Sequence, residues 1–390
     1  MNNAQHHQWG RARPRLWRLM LGACVCACTG ASAWGEEPAA AASASASSAA
    51  SASASAPTPR LIGTATVFRY EKADPYDRSN LYGFNHAPSV TLLADGRLLA
   101  AWFSGPYEAS VHQVILGSFS SDGGATWSPA QVLQDDPHRS DFDPAFLSDG
   151  TRTWLCFSVG RWNRYPPMRA QAGEDAPVGP ESFRIWGCWS DDAGRTWSEP
   201  VRLLDDVGWG CRSNGIQLSS GELILPVHHF MTWTAAVIRS TDGGRSWQRS
   251  STVKPADGGG AAEPSVAELP DGRLLMIVRS RDGVLRTATS LDRGVTWSKP
   301  VKTGVVAGDA SSNLLSLRDG RLVLTYNAGP PPHRTPLAVC VSDDEGRTWG
   351  PLLELDRADP PTQGEAFWSR EVCYPSAVEL PDGTVVIVWA

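Results

Sequence analysis

The chain has 390 residues, 19% of them charged and 42% hydrophobic, and a formal net charge of −6. A chain of this length and balance can bury a large core and is expected to be a soluble globular protein. Its mild acidity and scattered Lys and Arg exclude nucleic acid as a partner, which would require a basic face.

In chain order, Arg11, Arg13, Arg15 and Arg18 precede the apolar run 19–28, and Ala31-Ser32-Ala33 follows it, the A-x-A pattern of a cleaved export signal over residues 1–33. The run is shorter than the about 20 residues a spanning helix needs, so no membrane span is expected. Cys24, Cys26 and Cys28 offer a rival reading as a lipid-anchored precursor, but the apolar lead before Cys24 is short. The expected location is secreted or periplasmic. Residues 34–60 read as a tether, since 39–58 are almost pure Ala and Ser, ending in Ala56-Pro57-Thr58-Pro59, without the large apolar side chains that offset ordering entropy. Five cysteines follow it: Cys156, Cys188, Cys211, Cys340 and Cys373. Most lie in apolar runs without metal-type spacing, so buried thiols are expected, and any disulfide pairing is left open.

From residue 61 the chain repeats one phrase, a short apolar strand, a D-G or S-G turn, and another apolar strand. It occurs around Asp95-Gly96, Asp149-Gly150, Ser220-Gly221, Asp271-Gly272, Asp319-Gly320 and Asp382-Gly383. D-G between apolar runs signals a hairpin, and six phrases predict six blades. A second pattern, S-x-D-x-G-x-[TS]-W, follows the first five hairpins, with its Asp at 122, 192, 242, 292 and 344. The later steps of 50, 50 and 52 residues match the period of propeller blades. In each box the Asp accepts bonds from the turn, the Gly takes positive φ and the Trp pins the turn, so the boxes are structural. The twelve-residue spacing of an EF-hand calcium loop is missing. The prediction is an all-β fold, a six-bladed β-propeller of four-stranded antiparallel blades spanning 61–390. The strand 63–70 closes the ring on the last blade, which is left one strand short.

These boxes on a propeller resemble the sialidase (neuraminidase) superfamily from about residue 61 onward. The resemblance implies an exo-α-sialidase-like retaining glycosidase that removes terminal, acidic sugars from glycans, with no cofactor or metal. Sialidases are glycosidases with a Tyr nucleophile, and a phenol, with an ordinary pKa of about 10, needs an adjacent base. Tyr374, in Cys373-Tyr374-Pro375-Ser376, matches the family's nucleophile at the opening of the last blade. Glu263, in Ala262-Glu263-Pro264-Ser265, matches the glutamate that pairs with it. Arg279 and Arg334 match two of the three arginines that hold the substrate carboxylate, a task suited to the guanidinium fork.

The third arginine is missing. Its element reads Phe84-Asn85-His86-Ala87-Pro88, which places His86, with Asn85 beside it, on the substrate. This form resembles a diverged, sialidase-like branch whose substrates need not be sialosides. For the acid/base, counting back from Ile115 reaches Glu108, with Asp143 in reserve as a substrate-contacting carboxylate. Arg212, Ser213, Asn214 and Asp309 stand at comparable blade entrances and could contact sugar hydroxyls. Trp102, Trp162 and Trp186 serve either sugar stacking or blade packing. His228-His229 is expected beside a strand end without a metal. Two rival readings stay open: a hydrolase of another sugar in the same pocket, and a non-catalytic glycan-binding propeller that kept its boxes.

Overall fold

The computed structural model describes the backbone of residues 20–27, and residues 58–69, 82–106, 108, 110, 112–160, 182–359 and 371–390. The rest of the expected export signal, the tether up to residue 57, and Trp162 lie outside the described residues. Among the described residues every named element is a strand, and no helix is long and apolar enough to cross a membrane.

Strands β1 (Met20–Ala27) and β2 (Arg60–Arg69) precede the first full sheet. That sheet contains β3 (Phe84–Leu92), β4 (Leu98–Gly105), β5 (Val114–Ser120) and β6 (Gln131–Gln134). The second contains β7 (Ser140–Ser148), β8 (Thr153–Gly160), β9 (Arg184–Ser190) and β10 (Val201–Arg202). The third has five strands, because its inner strand is split into β11 (Trp209–Cys211) and β12 (Ile216–Gln217), both paired with β13 (Leu223–His229), before β14 (Thr234–Ser240) and β15 (Gln248–Arg249). The fourth runs β16 (Ala262–Glu268), β17 (Leu274–Arg279), β18 (Val284–Ser290) and β19 (Val301–Val306). The fifth runs β20 (Asn313–Ser316), β21 (Leu322–Asn327), β22 (Leu337–Ser342) and β23 (Leu353–Asp356). The last orders β24 (Ser376–Glu379), β25 (Thr384–Trp389), β1 and β2.

All pairings are antiparallel, and each hairpin turns on a residue with positive φ that Gly supplies without steric cost, as at Gly96 (85°) and Gly383 (86°). The last sheet departs from expectation. Residues 60–69 do join it, but as the outermost strand, and the backbone of Met20–Ala27 fills the position that the sequence left open between β25 and β2.

The boxes close by local bonds. In the first, Ser120 Oγ donates to Asp122 Oδ1 at 2.8 Å and accepts from Gly124 N at 2.9 Å, while Thr126 N donates to Asp122 Oδ1 at 2.8 Å. Asp192, Asp242, Asp292 and Asp344 repeat the pattern. The bonds from Thr126 hold the Asp122 carboxyl down at about 2. In the third box a Cβ on Gly244 would lie 2.3 Å from the Trp154 ring, so glycine alone fits there.

The core sits as wedges between neighbouring sheets rather than in one centre. Leu99, Phe103 and Ile115 of the first sheet meet Phe146, Leu155 and Phe157 of the second; Val323, Val339 and Val341 of the fifth meet Val385 and Ile387 of the last. Inner strands are also stitched across the wedges. Ser89 Oγ donates to Pro144 O at 2.7 Å, Leu314 N to Ser265 Oγ at 2.9 Å, and Val90 N to Ser376 Oγ at 3.2 Å, the last closing the ring between the sixth sheet and the first. Cys156, Cys188, Cys211, Cys340 and Cys373 are buried free thiols.

Candidate active site

Four inner strands begin with the same device. Ala87, Asp143, Glu263 and Tyr374 each adopt positive φ (51°, 51°, 47° and 57°), and each is followed by Pro. The ladder slips by register shifts between His86 and Ser89, Phe142 and Ala145, and Ala262 and Ser265. Pro cannot donate to the ladder, and a left-handed non-glycine residue costs about 1 to 3 kcal/mol, which clusters at functional sites. The bulge re-aims the residue before Pro. Three of these four residues are ionisable.

Tyr374 and Glu263, 111 residues apart, meet directly: Tyr374 Oη donates to Glu263 Oε1 at 2.8 Å. Arg279 binds both, Nη1 donating to each oxygen of Glu263 at 2.9 Å and to Tyr374 Oη at 3.2 Å. All three are buried. Burial alone would raise Glu263, but Arg279 overrides it and holds the carboxylate down at about 2. Burial, and then Glu263, push the Tyr374 phenol well above its ordinary range against the pull of Arg334 and Arg279. At rest, therefore, the proton is on Tyr374 and the charge is on Glu263.

A second layer of bonds engages the arginines. Arg279 Nε and Nη2 donate to Asp309 Oδ1 at 2.9 and 2.6 Å. Arg334 Nε donates to the Asp309 carbonyl at 2.8 Å and Nη1 to Glu371 Oε2 at 3.0 Å. The other oxygen of Glu371 lies 3.0 Å from His86 Nε2. Burial would raise Glu371, but His86 and Arg334 together hold it below its ordinary range. Three side chains surround the Tyr374 ring: His86 with its centroid at 4.4 Å, and the guanidiniums of Arg212 and Arg334 at 5.0 and 5.2 Å. Arg212 is 2% exposed and donates to the Tyr374 carbonyl at 2.7 Å. Trp233 packs against the guanidiniums of Arg279 (5.0 Å) and Arg281 (4.3 Å).

Asp143 is half-buried, and burial, opposed by Arg212 and reinforced by Glu263 and Glu108, raises its carboxyl to about 8. It is a neutral acid at pH 7. Glu108 is exposed, its charge near enough to Asp143 to be felt. His86 Nε2, a Glu371 oxygen and Cys373 Sγ converge within 4.8 Å, which is a conceivable three-ligand set for a metal. The Arg334 guanidinium already bound to Glu371 opposes a cation there, and burial holds the Cys373 thiol well above its ordinary range.

The structure thus brings together Tyr374, Glu263, Arg279, Arg334, His86 and Asp143, with Glu108 exposed. Asn85 needs correcting. Strand alternation turns it away from His86: it is buried, accepts from Trp102 Nε1 at 2.9 Å and donates to the Tyr82 carbonyl at 3.0 Å, so it packs the blade and leaves no group for substrate. Trp102 is fully buried in packing, Trp186 lies against Arg139, and His228 is a buried strand residue whose imidazole burial lowers to about 4. Asn214 stitches blades, bonding Phe146 N and the Val90 carbonyl. The sequence reading missed Glu371 and Trp233. The repeated residue-Pro-[Ser/Ala] signature at 87, 143, 263 and 374 was the signal that would have ranked Asp143 beside Glu263 and Tyr374. A cavity of about 640 Å³ near Arg273, Lys302 and Trp349 shares no residue with this cluster.

Residues 96–387 match the family model of the BNR repeat-like domain. The chain belongs to this family. The BNR-repeat propeller is also similar to sialidases in sequence. It is 27% identical over 334 residues to a sialidase of Micromonospora viridifaciens, covering 77% of this chain and 49% of the relative. It is 28% identical over 251 residues to a sialidase of Paraclostridium sordellii, covering 57% and 60%. The BNR-repeat chain therefore spans only 49% and 60% of the lengths of these two relatives. In fold it is similar to a Hadza microbial sialidase, with a TM-score of 0.63 and 20% identity, covering 85% of this chain and 72% of that one. It is also similar to an intramolecular trans-sialidase from Ruminococcus gnavus, with a TM-score of 0.62 and 16% identity, covering 80% and 91%. The BNR-repeat propeller has the sialidase fold.

Proposed function

We propose that this chain is a sialidase-type retaining glycoside hydrolase that removes terminal sugars from glycans. The observation that carries the reading is the Tyr374–Glu263 bond of 2.8 Å, with Arg279 bound to both partners. Tyr374 Oη attacks the anomeric carbon, its proton passing to Glu263 as the bond to the leaving oxygen breaks. The leaving oxygen takes a proton from Asp143 or Glu108. The phenol's high pKa and the carboxylate's low one keep the nucleophile unionised until positive charge develops on the sugar, so proton transfer and attack occur together. Water then cleaves the tyrosyl–sugar bond, assisted by the same carboxylate now acting as base, and the proton returns from Glu263 to Tyr374. The sialidase relatives support the class of reaction.

The reading is tested by incubating the protein with fluorinated glycosyl fluorides, neutral and sialosyl, and mapping adducts by peptide mass spectrometry. A single adduct on Tyr374 is expected. An adduct on another residue would remove Tyr374 as nucleophile, and neither adduct nor turnover across the panel would favour the non-catalytic glycan-binding propeller.

We also propose export to the periplasm or the outside of the cell, on the basic, apolar and A-x-A order of residues 11–33. Cleavage after Ala33 would remove β1, so the same segment cannot serve both as signal and as third strand of the last sheet. N-terminal sequencing of the protein purified from its native host is expected to begin at Trp34. A chain that keeps residues 20–27 would refute the export proposal.

A further inference from the structure

We infer that the site takes an uncharged glycosyl group, because the Nε/Nη2 edge of Arg279 that would grip a substrate carboxylate is closed by Asp309, and both Arg334 and His86 are engaged by Glu371. This rests on the hydrolase reading above and names its substrate class.

Holding a carboxylate bidentately takes a guanidinium edge with two free N–H groups. On Arg279 the edge formed by Nε and Nη2 is closed by Asp309 Oδ1, at 2.9 and 2.6 Å, and Nη1 is bound to Glu263 and Tyr374. Every nitrogen of Arg279 has a partner. Arg334 uses Nε on the Asp309 carbonyl and Nη1 on Glu371. Blade one presents His86, itself held by Glu371 at 3.0 Å. The remaining cation, Arg212, is buried beside the Tyr374 ring and donates to the Tyr374 carbonyl.

Arg279 is thus paired with Glu263 and Asp309, and Arg334 with Glu371. Counting Arg212, whose Nε is fully enclosed, the three guanidiniums are formally balanced by the three carboxylates of Glu263, Asp309 and Glu371. A ligand carboxylate would have to displace Asp309 from Arg279 and then lie beside it, and like charges at that range repel in a partly desolvated pocket. A neutral sugar meets no such opposition. The Asp309 side chain is 39% exposed, and with Oδ1 engaged by Arg279 it leaves Oδ2 to accept from a sugar hydroxyl. The arginines keep a purpose without an acidic ligand, since Arg279 fixes Glu263 against Tyr374 and balances the charge that develops on the phenol.

The test uses the full chain, Asp309→Asn and Asp309→Ala. Turnover is measured on aryl glycosides of neutral sugars, a uronide and an α-sialoside. Binding of 2,3-didehydro-2-deoxy-N-acetylneuraminic acid, a cyclic carboxylic acid, is measured by calorimetry. For the wild type we expect kcat/KM on the best neutral glycoside about 100-fold or more above either acidic one, and the acid binding no tighter than roughly millimolar. Opening the Arg279 edge in Asp309→Ala, or removing the competing charge in Asp309→Asn, is expected to tighten the acid by about 10- to 100-fold, the effect of one or two charge-assisted bonds. Micromolar binding of the acid by the wild type, preference for an acidic glycoside, or unchanged acid binding in both variants overturns the inference. Acid binding needs no turnover, so it reads the substrate class even if the labelling experiment removes the hydrolase reading.

Discussion

Tyr374→Phe is expected to lower kcat on the best aryl glycoside by about 10³-fold or more, with the fold and sugar binding retained. The substitution removes one oxygen and leaves the ring, so its neighbours His86, Arg212 and Arg334 keep their packing. Glu263 loses its 2.8 Å partner but stays bound by Arg279 through both oxygens, so no buried charge is left unpaired. The melting temperature should therefore move by only a few degrees, on the order of 1 kcal/mol. What disappears is the oxygen proposed to form the covalent intermediate. Steady-state kinetics beside circular dichroism and thermal melting checks this. A Phe variant with more than about a tenth of wild-type kcat would exclude Tyr374 as nucleophile.

Asp143→Asn is expected to lower kcat by about 10²- to 10⁴-fold on substrates with poor leaving groups and to remove the alkaline limb of the pH profile. The sign follows from the environment. Burial, reinforced by Glu263 and Glu108, raises this carboxyl to about 8, so it carries its proton below that pH and loses it above. A general acid must be protonated, so wild-type activity should hold through neutral pH and fall as the pH rises past about 8. Glu263, at about 2, remains an ionised base throughout that range and contributes no limb there. Aryl glycosides with strongly acidic phenols need little protonation and should be spared by the substitution. Glu108→Gln is the companion measurement. If it removes the limb and Asp143→Asn does not, the exposed loop carboxylate is the acid and Asp143 only shapes the pocket.

Much of this protein was legible before any coordinates because its repeating parts are local. The boxes close between residues two to four apart, as in Ser120 to Asp122 and Asp122 to Thr126, and each hairpin turns at one positive-φ glycine. Interactions of that range are encoded where they occur, so five boxes and six turns announce a ring of antiparallel sheets. Tyr374, Glu263, Arg279 and Arg334 were picked out by their resemblance to the motifs of the sialidase superfamily, which those hairpins placed in register.

Other features depend on partners that sequence spacing does not bring together. Whether an arginine near the pocket is free or paired is settled by the neighbouring blade: Asp309 reaches Arg279 from 30 positions away, and Glu371 reaches His86 from 285. Asn85 and His86 are adjacent in sequence and both buried but point to opposite faces, because the pleat sends alternate side chains apart; only the packing shows that Asn85 meets Trp102 while His86 meets Glu371 and Tyr374. Asp143 is an ordinary turn acid by sequence; its raised pKa comes from burial among residues of other blades. The order of the last sheet joins strands from distant parts of the chain, which no local pattern brings together. The repeating sheet architecture was readable from short-range pattern, and the pairing of Tyr374 with Glu263 was implied by the family resemblance, because the two lie 111 residues apart. The ion pairing of the arginines, the protonation of Asp143 and the closure of the ring were decided by tertiary structure, since burial and electrostatics act through space between segments distant in the chain.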